Sequence, residues 1–270
     1  MKNLLNILIT LLLVPALAFA LDDKSKNIKA LTKQIDAHAK LAQLYFQRAE
    51  SYMQMRAYKE ASLDVNKAIV LAPQMQEAKL LLAKLNLSQK KNTEAIENLT
   101  QFVKSTNDKS LVTEAKFLLA DAYVASERYE DAAAQYEKMK AAKLEFEQEN
   151  YASFADVYYR LGNYKKSIKV LKNALSTMIE KDLLRRKIID LSIEEGNYTL
   201  AMSMTEQMLK RDKNNSELYY LRASILQHQG KTKEMESTIK KAQTSLKNET
   251  KMTQEKKSLT RKSKSLYASI

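Results

Sequence analysis

The chain has no cysteine and no tryptophan, and only three glycines and two prolines among 270 residues. Without cysteine there are no disulfides and no thiolate metal sites. There is also no attachment point for a lipid of the bacterial lipoprotein type. Three glycines leave no glycine-rich phosphate loop and no serine elbow flanked by glycines. The two histidines, His38 and His228, lie far apart, and no cluster has metal-ligand spacing. Acidic neighbours such as Glu194 and Glu195 sit side by side at a helix end and point in different directions. These absences argue against an enzyme, and we expect no cofactor and no bound metal. What remains is rich in Ala, Leu, Lys, Glu and Gln, all good helix formers.

The glycines that are present carry the pattern. Gly162, Gly196 and Gly230 are each 34 residues from the next. A fixed helical period of this length indicates hairpins stacked on one another, each burying its apolar face on its neighbours. With glycine at position 15, repeats start at Ala42, Gln76, Thr113, Gln148, Asp182 and Ser216. Position 8 then reads Ala49, Ala83, Ala120, Ala155, Ile189, Ala223, and position 20 reads Ala61, Ala95, Ala132, Ser167, Ala201, Met235. Small residues are expected where two helices cross closely. Position 17 is Tyr58, Asn92, Tyr129, Tyr164, Tyr198, Thr232, and Pro73 falls at position 32 of the first repeat. A proline there stops a helix, having no N–H to donate.

The segments YFQRAESYMQMRAYKEASLDVNKAIVLAP (Tyr45 to Pro73) and ASFADVYYRLGNYKKSIKVLKNAL (Ala152 to Leu175) resemble the tetratricopeptide repeat family. The resemblance covers residues 42–249. It implies an all-α, right-handed α-solenoid of about six tetratricopeptide helix–turn–helix units with terminal capping helices. Repeat 2 departs at the glycine and the position-17 aromatic, and repeats 5 and 6 depart at Ile189 and Met235.

Residues 1–20 read as a secretory signal peptide: Lys2, an apolar run from Leu4 to Val14, and Ala18-Phe19-Ala20 as a small-x-small cleavage site. The expected location is outside the cytoplasm, in the periplasm. Residues 21–41 form an N-terminal helix, read as a cap on the first repeat or a short coiled coil. Its stripe is Ile28, Leu31, Ile35 and His38, and no glycine or proline separates it from the first repeat. Residues 250–270 form a basic C-terminal tail or capping helix, in which Met252, Leu259 and Leu266 offer a thin apolar stripe. The net charge is +13, and residues 231–270 hold eleven Lys or Arg against four Glu. An exported protein rarely meets nucleic acid, so membrane head groups or an acidic partner suit this charge better.

The resemblance also implies where a ligand sits. In the family the first helix of each repeat lines a concave face, mainly through positions 2, 5, 9 and 12. Position 5 gives Phe46, Leu80, Phe117, Arg186 and Tyr220 as wall residues. Position 9 gives Glu50, Lys84, Asp121, Asp156 and Asp190, and position 12 gives Met53, Leu87, Val124, Tyr159 and Ile193. Asp121, Asp156 and Asp190 recur in three consecutive repeats, so we expect an acidic row that repels itself slightly unless a cationic ligand offsets it. The family's Lys/Asn clamp for C-terminal carboxylates is absent: Phe46, Glu50 and Leu81 stand in the first two repeats, Glu114 and Leu118 in the third. The reading is therefore an interaction scaffold or assembly factor that takes a peptide segment, apolar with some positive charge, in its groove. The alternative is an envelope-surface binder whose basic C-terminus meets anionic lipid or glycan.

Overall fold

The computed structural model describes residues 24–179 and 181–267, with side chains as far as Lys251 and at Thr253. The leader at residues 1–20 lies outside the described residues, as do the side chains of Met252, Leu259 and Leu266. Among the described residues every regular element is helical, and no helix is long and apolar enough to cross a membrane. The chain divides into two compact units, one ending at Leu144 and the other beginning at Glu145.

The N-terminal unit holds α1 (residues 24–37), α2 (Ala42–Gln54), α3 (Tyr58–Leu71), α4 (Gln76–Ser88), α5 (Asn92–Ser105), α6 (Lys109–Ala125) and α7 (Tyr129–Ala141). The C-terminal unit holds α8 (Gln148–Arg160), α9 (Tyr164–Thr177), α10 (Asp182–Glu194), α11 (Tyr198–Arg211), α12 (Ser216–His228) and α13 (Thr232–Tyr267). From α2 onward, consecutive helices pair as antiparallel hairpins, and within each unit each hairpin packs on the next.

One turn geometry recurs in all six hairpins. Position 15 has positive φ throughout: Arg56, Lys90 and Glu127 at +57° to +60°, and Gly162, Gly196 and Gly230 at +70° to +72°. That residue closes the first helix. The N–H after it donates back to position 11, as in Ala57 to Tyr52 (2.9 Å) and Asn197 to Ser192 (2.7 Å). These bonds satisfy carbonyls that the helix end leaves free. Glycine takes this conformation at little steric cost, whereas an L side chain is strained there. The C-terminal unit adds Asn163 and Asn197, whose side-chain oxygens accept from the N–H groups of Lys166 and Leu200 and so start the next helix. Ala57, Lys91 and Arg128 give the N-terminal turns no side-chain cap.

The close crossings fall where small residues recur. The alanines at positions 8 and 20 are buried in every repeat that has them. Ser167 takes the same place in repeat 4, its hydroxyl donating 2.7 Å to the Ala155 carbonyl. Ile189 is fully buried at position 8 of repeat 5, in a repeat whose position 20 is alanine. The longer spacing between repeats 2 and 3 is absorbed by α6, which begins at Lys109 and is capped by the Asp108 carboxylate accepting from Ser110 and Leu111.

At the front of the chain a turn at 38–41 separates α1 from α2, so the two are not one continuous helix. Leu31 and Ile35 are buried. The Asn27 amide donates to the Ser51 hydroxyl at 3.0 Å, and the Arg48 guanidinium donates to the Thr32 hydroxyl at 3.0 Å. At the other end, α13 begins as the second helix of repeat 6 and runs unbroken for 36 residues. Residues 250–267 therefore continue that helix and do not form a separate cap folded over it. Its Glu249 carboxylate accepts from the Ser216 N–H (2.7 Å) and hydroxyl (2.9 Å), capping the start of α12.

Candidate functional site

The first helix of each repeat repeats a set of faces, because residues four and seven apart share one side of a helix. On α6 this brings Phe117, Asp121 and Val124 together. Phe117 and Val124 are half-buried and Asp121 is exposed. Asp121 has no ion-pair partner among the described residues. Burial pushes its carboxyl pKa up; the group keeps access to solvent, but the protein around it removes part of its hydration. Glu50 behaves alike on α2, its pKa raised by burial and partly lowered again by the charge of Lys84.

Other expected wall residues in the N-terminal unit are committed to packing. Leu80 is 2% exposed and sits in a core cluster with Leu99, Phe102 and Ala115. It is a core residue and not part of a binding wall, because α5 and α6 close over it. Phe46 and Met53 lean on the core of repeat 1, and Leu87 on that of repeat 2. Lys84 is half-buried and reaches Glu114, at position 2 of the next repeat.

The C-terminal unit corrects the expectation of an unpaired acidic row. Asp156 pairs with Lys187 at 2.6 Å, and Asp190 with Arg186 at 3.3 Å. Arg186 also reaches Glu217 at 2.8 Å. Reading matched positions down the repeats named Arg186 but did not pair it with its acids, and missed Lys187. Lys187 lies at position 6 and meets position 9 of the preceding repeat, and Glu217 at position 2 meets position 5 of the preceding one. Asp156–Lys187 and Arg186–Glu217 thus stitch neighbouring repeats together, while Arg186–Asp190 lies within α10. Tyr159 and Ile193 are half-buried and Tyr220 is 43% exposed. The Tyr159 phenol has its pKa pushed up to about 12, first by a hydrogen bond to the Glu194 carboxylate and then by burial and the charges of Glu194 and Glu195.

His228 is accounted for by packing: its ring stacks on Tyr198 at 5.3 Å and its Nδ1 lies 2.8 Å from the Ser224 carbonyl. Among the described residues, no three His, Asp or Glu side chains converge as a metal site.

Profiles described as tetratricopeptide repeat match residues 91–143, and 42–75, 148–177 and 216–245, together more than half of the chain. No curated protein matches the sequence. Among solved structures, the chain is similar to a tetratricopeptide repeat protein from Parabacteroides merdae, with 17% identity, a TM-score of 0.58, and coverage of 76% of this chain and 79% of that one. It is also similar to pilF of Pseudomonas aeruginosa, with 16% identity, a TM-score of 0.57, and coverage of 77% and 90%. The Cut9–Hcn1 hetero-tetramer of the APC/C gives 14% identity, a TM-score of 0.53, and coverage of 82% of this chain and 43% of that one. At these identities the structural likeness speaks for the solenoid fold alone. The matched profiles and the six recurring hairpins make this chain a member of the tetratricopeptide repeat family.

Proposed function

We propose that this protein is an exported adaptor that holds a peptide segment of a partner protein against the first-helix wall of its N-terminal unit. Membership of the family makes it, in general terms, a protein–protein interaction scaffold of a typically non-catalytic kind. The segment is apolar with some positive charge. The observation that carries this reading is Asp121: an acid with no ion-pair partner among the described residues, set between Phe117 and Val124 on one face of α6. A cation from a partner would meet an acid that the fold itself leaves uncompensated, while its apolar neighbours cover the half-buried side chains. The acids of the C-terminal unit are already paired and have less to offer.

Export rests on Lys2, the Leu4 to Val14 run and Ala18-Phe19-Ala20. N-terminal sequencing of protein from its own host tests it, and a chain starting at Leu21 is the expected result. The groove reading is tested by Asp121→Asn. The change is expected to weaken partner binding, and wild-type binding is expected to weaken with added salt. Unchanged affinity in the folded variant contradicts it.

A second reading has its own observation: α13 runs past the last repeat as a basic helix. Such a helix suits an anionic envelope surface. Deleting residues 250–270 removes surface binding under this reading and leaves partner binding intact under the first.

A further inference from the structure

Within the N-terminal unit, α5, α6 and α7 line an open cleft of about 360 Å³ between repeats 2 and 3. Its apolar lining comes from Val103, Leu119, Tyr123 and Met139. Three lysines, Lys104, Lys116 and Lys138, also line it, and no carboxylate does. None of the three has an ion-pair partner among the described residues. Thr100 and Gln135 complete the lining, and the Gln135 amide is turned to the Lys116 carbonyl at 3.4 Å.

We propose that this cleft binds a small amphipathic carboxylate, of the medium-chain fatty-acid type. The volume lies at the lower end of the small-molecule range. An aliphatic chain would cover the apolar residues, and a single carboxylate would meet ammonium groups that the protein leaves unneutralised. Lysine stems lie along apolar surface and carry flexible point charges. This suits one carboxylate head. No arginine lines the cleft, so it lacks the planar, bidentate donors that favour a phosphate over a single carboxylate.

The chain supplies its own comparison. The corresponding cleft between repeats 1 and 2 uses the same helix positions, with Ile69, Leu82 and Phe102 as apolar lining. It holds about 200 Å³, and Lys79 is its one cation. Gln101 stands there where Lys138 stands in the larger cleft, and Val70, the counterpart of Lys104, does not line it. The fold therefore does not require three lysines at such a cleft.

Calorimetric titration of the full chain with octanoate tests the proposal, with octanol and octylammonium as parallel probes. One octanoate is expected to bind per chain, more weakly in added salt. Octanol is expected to bind about tenfold more weakly and octylammonium not at all. Changing Lys104, Lys116 and Lys138 together to Gln should remove octanoate binding while circular dichroism stays that of the wild type. Val103→Phe, which fills the cleft, should do the same, and Lys79→Gln should change nothing. The proposal is overturned if octanoate does not bind, if octanol binds as well as octanoate, or if the folded lysine variant binds normally. Binding of a short peptide with a free apolar C-terminus in place of octanoate also overturns it.

Discussion

The Asp156 carboxylate on α8 and the Lys187 ammonium on α10 lie 2.6 Å apart and join two consecutive first helices of the C-terminal unit. Both side chains are partly open to solvent, so the pair is screened and its worth is small. Asp156→Asn and Lys187→Gln are each expected to lower stability, with a coupling between them of about 0.5 kcal/mol or less. Urea unfolding of the two single variants and the double variant measures this. Additive effects would mean that the pair contributes nothing to joining the repeats.

The turns of the two units differ in a way that stability measurements can read. A Cβ built on Gly162, Gly196 or Gly230 meets no atom within 4 Å, so an alanine there acts through the backbone conformation alone. Gly196→Ala should destabilise by about 1 kcal/mol, and Arg56→Gly, Lys90→Gly and Glu127→Gly should each stabilise by a similar amount. The sign should therefore reverse between the units when midpoints of urea unfolding are compared.

These turns also show what the sequence made legible. Three glycines set the register, and all six hairpins obey it, including the three that carry Arg56, Lys90 and Glu127 at that position. The small residues at positions 8 and 20 marked the close crossings for the same reason. Leu80 could not be placed this way, since its burial depends on how closely α5 and α6 approach it. Lys187 escaped because its partner Asp156 sits at a different position of the preceding repeat, and the pairing of Arg186 with Glu217 escaped for the same reason. Nor could composition tell whether the basic C-terminal residues fold back or extend α13.

Among the described residues, Arg48 and Asp64 form the most enclosed ion pair of the N-terminal unit. The guanidinium donates to both carboxylate oxygens at 2.6 and 2.7 Å, and it also reaches Thr32 on α1. Asp64 holds the Arg48 pKa above its ordinary value. Asp64→Ala leaves a cation with its partner removed and is expected to cost about 3 kcal/mol. Loss of that anchor should also speed proteolytic cleavage in the 38–41 turn. A variant with wild-type stability and cleavage would show that α1 is held by Leu31 and Ile35 alone.

Folding raises the Asp121 pKa, so the folded chain keeps this proton to a higher pH than the unfolded chain does. The contribution of this group to stability is thus complete below the unfolded carboxylate pKa and is lost as pH rises through the raised value. Asp121→Asn should match or exceed wild-type stability at neutral pH, and the difference should shrink on acidification. A variant less stable than wild type at neutral pH would place Asp121 among the structural acids.

Site-directed photo-crosslinking in the native host tests the central claim most directly. A photoreactive residue at Val124, beside Asp121, samples the proposed wall. The same residue at Leu63, which is 67% exposed on α3, samples a surface away from it. The account predicts a discrete protein adduct from position 124, lost on Asp121→Arg, and none from position 63. Adducts from position 63 alone, or an adduct at 124 indifferent to Asp121→Arg, would contradict it.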